Sequence, residues 1–302
     1  MVHELFHRIQ PQLGLLGQEG HNEHLDTLDG RYLIQLEWRA LARALGSRGQ
    51  IRQAALSDAV SFRGARRRLF PDAGENERRL EINEGLAQYT ATVVTTASLE
   101  EAEQDAVYQL MNAPLNATFI RTFPYGMGAA YGLLLDSLAP GWRQRIQVTD
   151  DLGGLAAIAA NVRPQEEAGP VVSRYGGREL RSFEERRDAE QKERVAELRR
   201  RFVDGPVLLL PPAKSSAFTT AGMIPIPGVG TLYPKFRGSG DWGTVDAASI
   251  VVSNRGLIVP SPMSHDARSA AGDGWKVAVS AGWKIAGGAR GGDYELVREL
   301  VR

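Results

Sequence analysis

The sequence predicts an α+β protein in which a mainly helical half is followed by a small all-β domain. Up to about residue 165, apolar residues recur every three or four positions in long stretches, as on one face of a helix. From Val207 onward, short apolar runs are separated by turns rich in glycine and proline, as between strands. We therefore expect a helical domain over residues 1–165, a linker and charged helix over 166–205, and a β domain over 206–302.

The helices of the first half are predicted from their apolar stripes and from the residues that end them. The first helix starts at the beginning of the chain, and Pro11 bends or ends it because proline cannot donate to the helical ladder. A second helix carries one apolar stripe and is closed by Gly46, a residue favoured just after helices. The predicted helices cover residues 1–13, 31–45, 50–69, 75–94, 99–110 and 125–138.

The second half is predicted from its charges and turns. Residues 161–177 are typical of a linker, and residues 181–202 are dense in arginine and glutamate with opposite charges four apart, which favours a solvent-exposed helix. The aromatic residues Trp242, Trp275 and Trp283 are expected to fill the β core. The predicted strands cover residues 230–236, 243–245, 249–252, 257–259, 275–279, 283–285 and 294–297.

Composition excludes several classes of protein and of site. The 36 basic and 36 acidic residues balance, so nothing favours a nucleic-acid partner. There is no cysteine, so a metal would have to be held by histidine and carboxylate. No apolar run approaches the roughly 18 residues of a membrane span, so no transmembrane segment is expected.

The strongest functional motif is His-Glu-x-x-His at residues 3–7. On a helix, His3 and His7 are four apart and lie on one face, so both imidazoles can bind a single zinc ion. Glu4 points about a quarter-circle away, where it can act as general base on a water bound to the metal. The alternative is an amphipathic helix with two ordinary surface histidines.

A hydrolytic zinc site needs a third protein ligand, and two glutamates qualify. Glu84 and Glu37 each lie within an apolar stripe of a predicted helix, where a carboxylate needs a partner. A metal would satisfy either one, and so would a buried salt bridge with an arginine. Asp26 is a minor candidate, and His21 and His24 form a second histidine pair in a polar loop.

Two further segments resemble a known family. Asn83-Glu84-Gly85-Leu86-Ala87-Gln88-Tyr89 resembles the third-ligand helix of gluzincin metallopeptidases of the aminopeptidase-N-like clan, which implies that Glu84 is the ligand and leaves Glu37 as the alternative. The gap from His7 is several times the family's usual one, and an inserted helical hairpin over about residues 31–70 would explain it. Pro124-Tyr125-Gly126-Met127-Gly128 resembles the Tyr-x-x-Gly segment of the same clan. By this resemblance Tyr125 stabilises the oxyanion, with Tyr131 as the alternative.

The resemblance implies a zinc-dependent peptidase that acts on peptides or proteins. Because the first ligand follows only two residues and the family's substrate-binding sheet normally lies upstream, we expect this chain to be an amino-terminally shortened form. We expect a periplasmic or secreted location if an upstream signal peptide is missing, and a cytoplasmic one otherwise. The alternative function is a non-catalytic binding or accessory protein, with a degenerate or truncated peptidase half and a β domain that does the binding.

Overall fold

The computed structural model describes residues 1–17, 20–165 and 169–299, and the chain divides into two compact units, Met1–Asp188 and Ala189–Arg302. Helices make up the first unit, and a mainly antiparallel sheet makes up most of the second. The predicted α+β class is therefore confirmed.

The α-helices of the described residues follow the predicted order, with one addition. The helix over Leu152–Ala159 was not predicted, because it is short and lacks a polar face. It begins at Asp151, whose side chain accepts a hydrogen bond from the backbone of Gly154. The helices are α1 Val2–Ile9, α2 Leu28–Leu45, α3 Gly49–Leu69, α4 Ala73–Leu80, α5 Leu86–Thr95, α6 Leu99–Asn112, α7 Phe123–Leu138, α8 Leu152–Ala159 and α9 Gly177–Arg199.

The core of the first unit lies between α2 and the helices that surround it. Helices α2 and α3 pack along each other as a hairpin, and α2 also packs against α6 and α7. Helix α7 is strongly apolar, and buried residues occupy most of its length. Among the residues that the structure describes, no helix is both long and apolar enough to cross a membrane.

The helix predicted over residues 75–94 is interrupted. Helices α4 and α5 are joined by a π-helical turn, Glu81–Gly85, in which the backbone nitrogen of Leu86 donates to the carbonyl of Glu81, five residues back. Such single π turns insert an extra residue into a helix and are frequent at functional sites. Periodicity alone could not show the turn, since the helix axis continues on both sides.

The segment predicted as a linker contributes to the helical core. Residues 166–168 lie outside the described residues, but Val171 and Tyr175 beyond them are buried in the core of the first unit. The Tyr175 hydroxyl donates to Asp58 (2.8 Å), and Glu184 of α9 accepts from Arg31 (3.0 Å). The first unit therefore extends past residue 165, the predicted end of the helical domain.

In the part of the chain that the structure describes, the second unit is built on one sheet of eleven strands. Its order is β10-β11-β1-β6-β5-β9-β8-β7; β4 also pairs with β5, and β2 and β3 pair with β4. All pairs are antiparallel except β1 with β11. The strands are β1 Val207–Leu210, β2 Ser215–Ala217, β3 Ile224–Ile226, β4 Gly230–Gly240, β5 Gly243–Ser253, β6 Gly256–Pro260, β7 Ser264–His265, β8 Ser269–Gly272, β9 Trp275–Val279, β10 Trp283–Gly287 and β11 Tyr294–Arg298.

Sequence patterns found the strands of five or more residues and missed the shorter ones. The predicted strands 243–245 and 249–252 are one long strand, because Asp246 and Ala247 continue the pairing with β9. Strands β1, β2, β3, β7 and β8 were not predicted because they are two to four residues long. As expected, Trp242 and Trp275 are buried in the core of this unit, and Trp283 packs against that core.

Candidate metal centre

The two histidines of His-Glu-x-x-His lie on the same face of α1, as their spacing predicts. Their imidazole rings meet edge to face with centroids 4.8 Å apart, and their Nε2 atoms are 3.1 Å apart. Phe6, between them in sequence, is buried and holds the helix on the core, while its neighbour Leu5 is exposed. Helix α1 packs against α5, and this packing directs both rings toward the π turn.

Glu84 in the π turn faces the two histidines, 77 residues or more away in sequence. Its Oε2 atom lies 3.1 Å from His3 Nε2 and 3.4 Å from His7 Nε2. The three side chains are between 15% and 27% exposed, so the group is accessible from solvent. Among the described residues, His3, His7 and Glu84 form the group of side chains that could hold a metal ion.

A close contact between two glycines brings the third segment to this group. The Cβ of an alanine at Gly128 would lie 2.2 Å from the Cα of Gly85 and 2.3 Å from its carbonyl oxygen. At Gly128 only glycine lets α7 approach the π turn so closely, and a Cβ at Gly85 would be 3.1 Å from the Cα of Gly128. The glycine of Asn-Glu-Gly and the second glycine of Tyr-x-x-Gly thus contact each other, and Tyr125 lies one helical turn before this contact.

Tyr125 lies beside the histidines and the glutamate. Its hydroxyl donates to Glu84 Oε2 at 3.3 Å, and its ring lies 5.4 Å from the ring of His3. Burial raises the pKa of Tyr125, and the negative charge of Glu84 raises it further. The phenol therefore keeps its proton at neutral pH and remains a hydrogen-bond donor.

Glu4 lies on the solvent-exposed side of α1. Its carboxylate is close enough to Tyr125 to contribute to the raised pKa of that hydroxyl. Glu4 is not part of the group around His3, His7 and Glu84. Glu4 is thus separate from the three possible metal ligands, as its position on the helix predicts.

Comparison with family models, curated proteins and solved structures finds no match to this chain. Its function has to be inferred from its own side chains.

Two polar residues that complete the group were missed from the sequence. Gln10, fully buried just after α1, accepts a hydrogen bond from His7 Nδ1 at 2.7 Å. Asn83 donates from its side-chain nitrogen to Glu84 Oε1 at 3.2 Å. Two features of the sequence could have indicated them: the three-residue spacing of Gln10 from His7, and the asparagine that precedes the glutamate in Asn-Glu-Gly.

Glu37, the alternative third ligand, lies in a buried network of charged side chains and not with the histidines. One of its oxygens accepts from Arg63 (3.2 Å) and from the Tyr131 hydroxyl (2.7 Å), and the other accepts from Arg66 (2.7 Å). Arg66 also pairs with the buried Glu77. The carboxylate of Glu37 is thus paired in buried salt bridges, which was the predicted alternative to binding a metal.

The same network includes Tyr131 and one of the loop histidines, His24. Burial and the neighbouring charge of Glu37 raise the pKa of Tyr131 well above its ordinary value, and its hydroxyl is occupied by that carboxylate. His24 Nε2 lies 2.9 Å from Glu77 Oε1, whereas the side chain of His21 is 90% exposed. The two histidines of this loop therefore face different surroundings.

Asp26, the minor ligand candidate, holds two segments of chain together. Its carboxylate accepts from Arg31 (3.4 Å), from the backbone nitrogen of Phe119 (2.9 Å) and from the hydroxyl of Thr118 (2.5 Å). These bonds tie the start of α2 to the segment before α7.

The second unit has a cavity of its own, of about 820 Å³. Its lining includes serine and threonine hydroxyls together with Arg237, Asp246 and Lys276, which are cross-strand neighbours on β4, β5 and β9. Arg237 and Asp246 form an ion pair of 3.2 Å. This volume is in the range of small-molecule sites in proteins.

Proposed function

We propose that this protein is a zinc-dependent peptidase with a gluzincin-type site, in which His3, His7 and Glu84 hold the metal. The observation that carries the proposal is the convergence of two imidazole nitrogens and one carboxylate oxygen, with separations of 3.1, 3.1 and 3.4 Å. These side chains come from two segments that are far apart in sequence, and the rest of their surroundings is built to hold them there.

The size of this triangle fits zinc. Ligands about 2.0–2.2 Å from a tetrahedral zinc ion are separated from one another by roughly 3.3–3.5 Å. The three ligand atoms are already within a few tenths of an ångström of that separation. Two histidines and one glutamate are a set used by catalytic zinc sites, which leave a further position open for water or substrate.

The surrounding chain supports the same reading. The motifs occur in the order expected of gluzincins, and a hairpin of α2 and α3 lies between the first and the second. A zincin-like arrangement of the helical unit is part of this proposal. The contact between Gly85 and Gly128 supports it further, because it places a tyrosine hydroxyl within reach of the third ligand.

In this proposal the metal and four further side chains have separate tasks. Zinc, when bound, acts as a Lewis acid toward the scissile carbonyl and lowers the pKa of the attacking water. Glu4 accepts a proton from that water and passes it to the leaving amine. The Tyr125 hydroxyl, protonated at neutral pH, donates a hydrogen bond to the oxyanion that develops on the carbonyl. Gln10 and Asn83 hold His7 and Glu84 in place.

The first test is the zinc content of the purified protein. We expect about one zinc per chain, as a three-ligand site predicts, and loss of zinc in His3→Ala and in Glu84→Ala. His265→Ala is the matched control, because that histidine is exposed and lies in the second unit. A parent protein that takes up no zinc, or variants that keep it, would show that the group does not bind the metal.

The second test separates binding from catalysis. Glu4→Gln removes the base and no ligand, so zinc should remain while peptide hydrolysis falls by a factor on the order of 10²–10⁴. A panel of unstructured peptides and denatured protein is a suitable substrate mixture, with cleavage followed by mass spectrometry. Equal activity in the parent and in Glu4→Gln would contradict the assigned role of Glu4.

A second candidate function is that of a non-catalytic binding or accessory protein. The cavity in the second unit favours it, since hydroxyls and three charged side chains lie along its walls. In that case Glu4→Gln would leave the biological function intact, and substitution of Lys276 and Arg237 would impair it. The opposite pattern supports the peptidase.

A further inference from the structure

Gln10 lies where α1 meets the π turn, and its side chain contacts both. Its amide oxygen accepts from His7 Nδ1 at 2.7 Å. Its amide nitrogen donates to the carbonyls of Ile82 (3.2 Å) and Asn83 (2.8 Å), the two residues that precede Glu84. Gln10 is fully buried, so these bonds are made without competition from solvent.

The two backbone carbonyls decide which way the amide points. Carbonyl oxygens only accept hydrogen bonds, so the nitrogen of Gln10 has to face Ile82 and Asn83. The reversed amide would place its own oxygen against two others, in a buried place where that is costly. The oxygen of Gln10 is therefore left for His7.

The orientation of the amide in turn decides the protonation of His7. An amide oxygen cannot donate, so the hydrogen of neutral His7 has to be on Nδ1. The lone pair is then on Nε2, the nitrogen that faces His3 and Glu84. The backbone of the π turn thus fixes the tautomer of a histidine 75 or more residues away from it in sequence.

We propose that Gln10 is a positioning residue that prepares His7 for metal and fixes its distance from Glu84; the proposal rests on the proposed zinc site. Ligand histidines are commonly oriented by a hydrogen bond from their second nitrogen. Gln10 adds a second task, because the same amide also holds the turn that carries another ligand. His3 has no such partner, and its Nδ1 is buried without a hydrogen bond to any of the described residues.

The first measurement needs neither metal nor a variant. In metal-free protein at a pH where His7 is neutral, nitrogen NMR distinguishes a ring that is protonated on Nδ1 from one protonated on Nε2. We expect the Nδ1–H form for His7. Predominance of the Nε2–H form would overturn the inference, whatever the protein does with zinc.

The second measurement is zinc affinity, by competition with a chromogenic chelator. Gln10→Leu removes all three hydrogen bonds, and we expect affinity to fall by roughly 10–100-fold, the usual effect of losing such a partner. Gln12→Leu is the matched control, since it is the same substitution at an exposed position two residues later. Equal affinity in the two variants would overturn the proposal.

A third variant covers the case in which Gln10→Leu does not fold. Gln10→Glu, when ionised, keeps an acceptor for His7 Nδ1 but cannot donate to the carbonyls of Ile82 and Asn83. We expect it to retain the Nδ1–H form of His7 and still to bind zinc more weakly than the Gln12→Leu control. A parent that binds no zinc while His7 shows the Nδ1–H form would refute the zinc site and leave only the hydrogen-bond geometry.

Discussion

The contact between Gly85 and Gly128 gives the sharpest prediction about how this site is held together. Substitution of Gly128 by alanine adds one methyl group where α7 meets the π turn. That carbon would lie 2.2 Å from the Cα of Gly85, more than 1 Å short of the roughly 3.5 Å at which two carbons make contact. Both obstructing groups are backbone, so no side chain can rotate away.

The same substitution two residues earlier provides the control. An alanine at Gly126 would place its Cβ 3.2 Å from the Cδ2 atom of Leu110, a side-chain atom that can shift slightly. Both glycines are buried in α7, and both gain about 1 kcal/mol of helix propensity on becoming alanine. The difference between the two variants therefore isolates the steric cost at Gly128.

We expect Gly128→Ala to be less stable than Gly126→Ala by about 2–3 kcal/mol, the cost of forcing extra volume into a packed interface. Urea unfolding followed by circular dichroism measures this difference. Because Tyr125 and Glu84 flank the contact, Gly128→Ala should also weaken zinc binding, whereas Gly126→Ala should not. Equal stability of the two alanine variants would mean that α7 and the π turn are not in the close contact described.

Three other predictions concern charge, catalysis and metal. Burial alone would raise the pKa of Glu77, but Arg66 and the hydrogen bonds that Glu77 accepts hold this pKa well below its ordinary value. The Glu77 carboxylate therefore stabilises the fold fully above about pH 4.3, and its contribution decreases as the pH falls below that value. Glu77→Gln should cost about 3–5 kcal/mol at pH 7, and its deficit relative to the parent should shrink in urea titrations toward pH 2. Tyr125→Phe should lower kcat by roughly 10²–10³-fold in peptide-cleavage assays with little loss of zinc, since it removes the proposed oxyanion donor and none of the proposed metal ligands. Zinc at about 1,000 times its Kd should stabilise the parent by about 4 kcal/mol in thermal unfolding, and Glu84→Ala should show no such gain.

The histidine pair could be predicted from the sequence because its geometry is local. Two residues four apart on a helix share a face whatever the rest of the fold does, so His3 and His7 were predictable from spacing alone. Both Glu84 and Glu37 were candidates because each lies in an apolar stripe, and burial could not distinguish a ligand from a salt bridge. Only the resemblance favoured Glu84. Only the three-dimensional packing shows that the arginines of α3 lie against Glu37.

The remaining parts of the site depend on contacts between distant segments. The π turn that carries Glu84 is defined by a backbone hydrogen bond and not by a residue type, and Gln10 resembles any polar residue at the end of a helix. The importance of Gly128 depends on Gly85 being opposite it, 43 positions away. Strand prediction failed for a similar reason, because the shortest strands are defined by their partners and not by a pattern of their own.

The buried charged network has a consequence for how the helical unit folds. Glu37 belongs to α2, Arg63 and Arg66 to α3, Glu77 to α4 and Glu81 to the π turn, and all five side chains are nearly inaccessible to solvent. A hairpin of α2 and α3 alone would leave two guanidinium groups facing a single carboxylate, and desolvating such an excess of charge is costly. Partly assembled forms are therefore disfavoured, and we expect the helices to come together in one cooperative step. A peptide that ends before α4 would lack Glu77 and Glu81 as well as Glu84, so we expect it not to fold even though it contains both histidines.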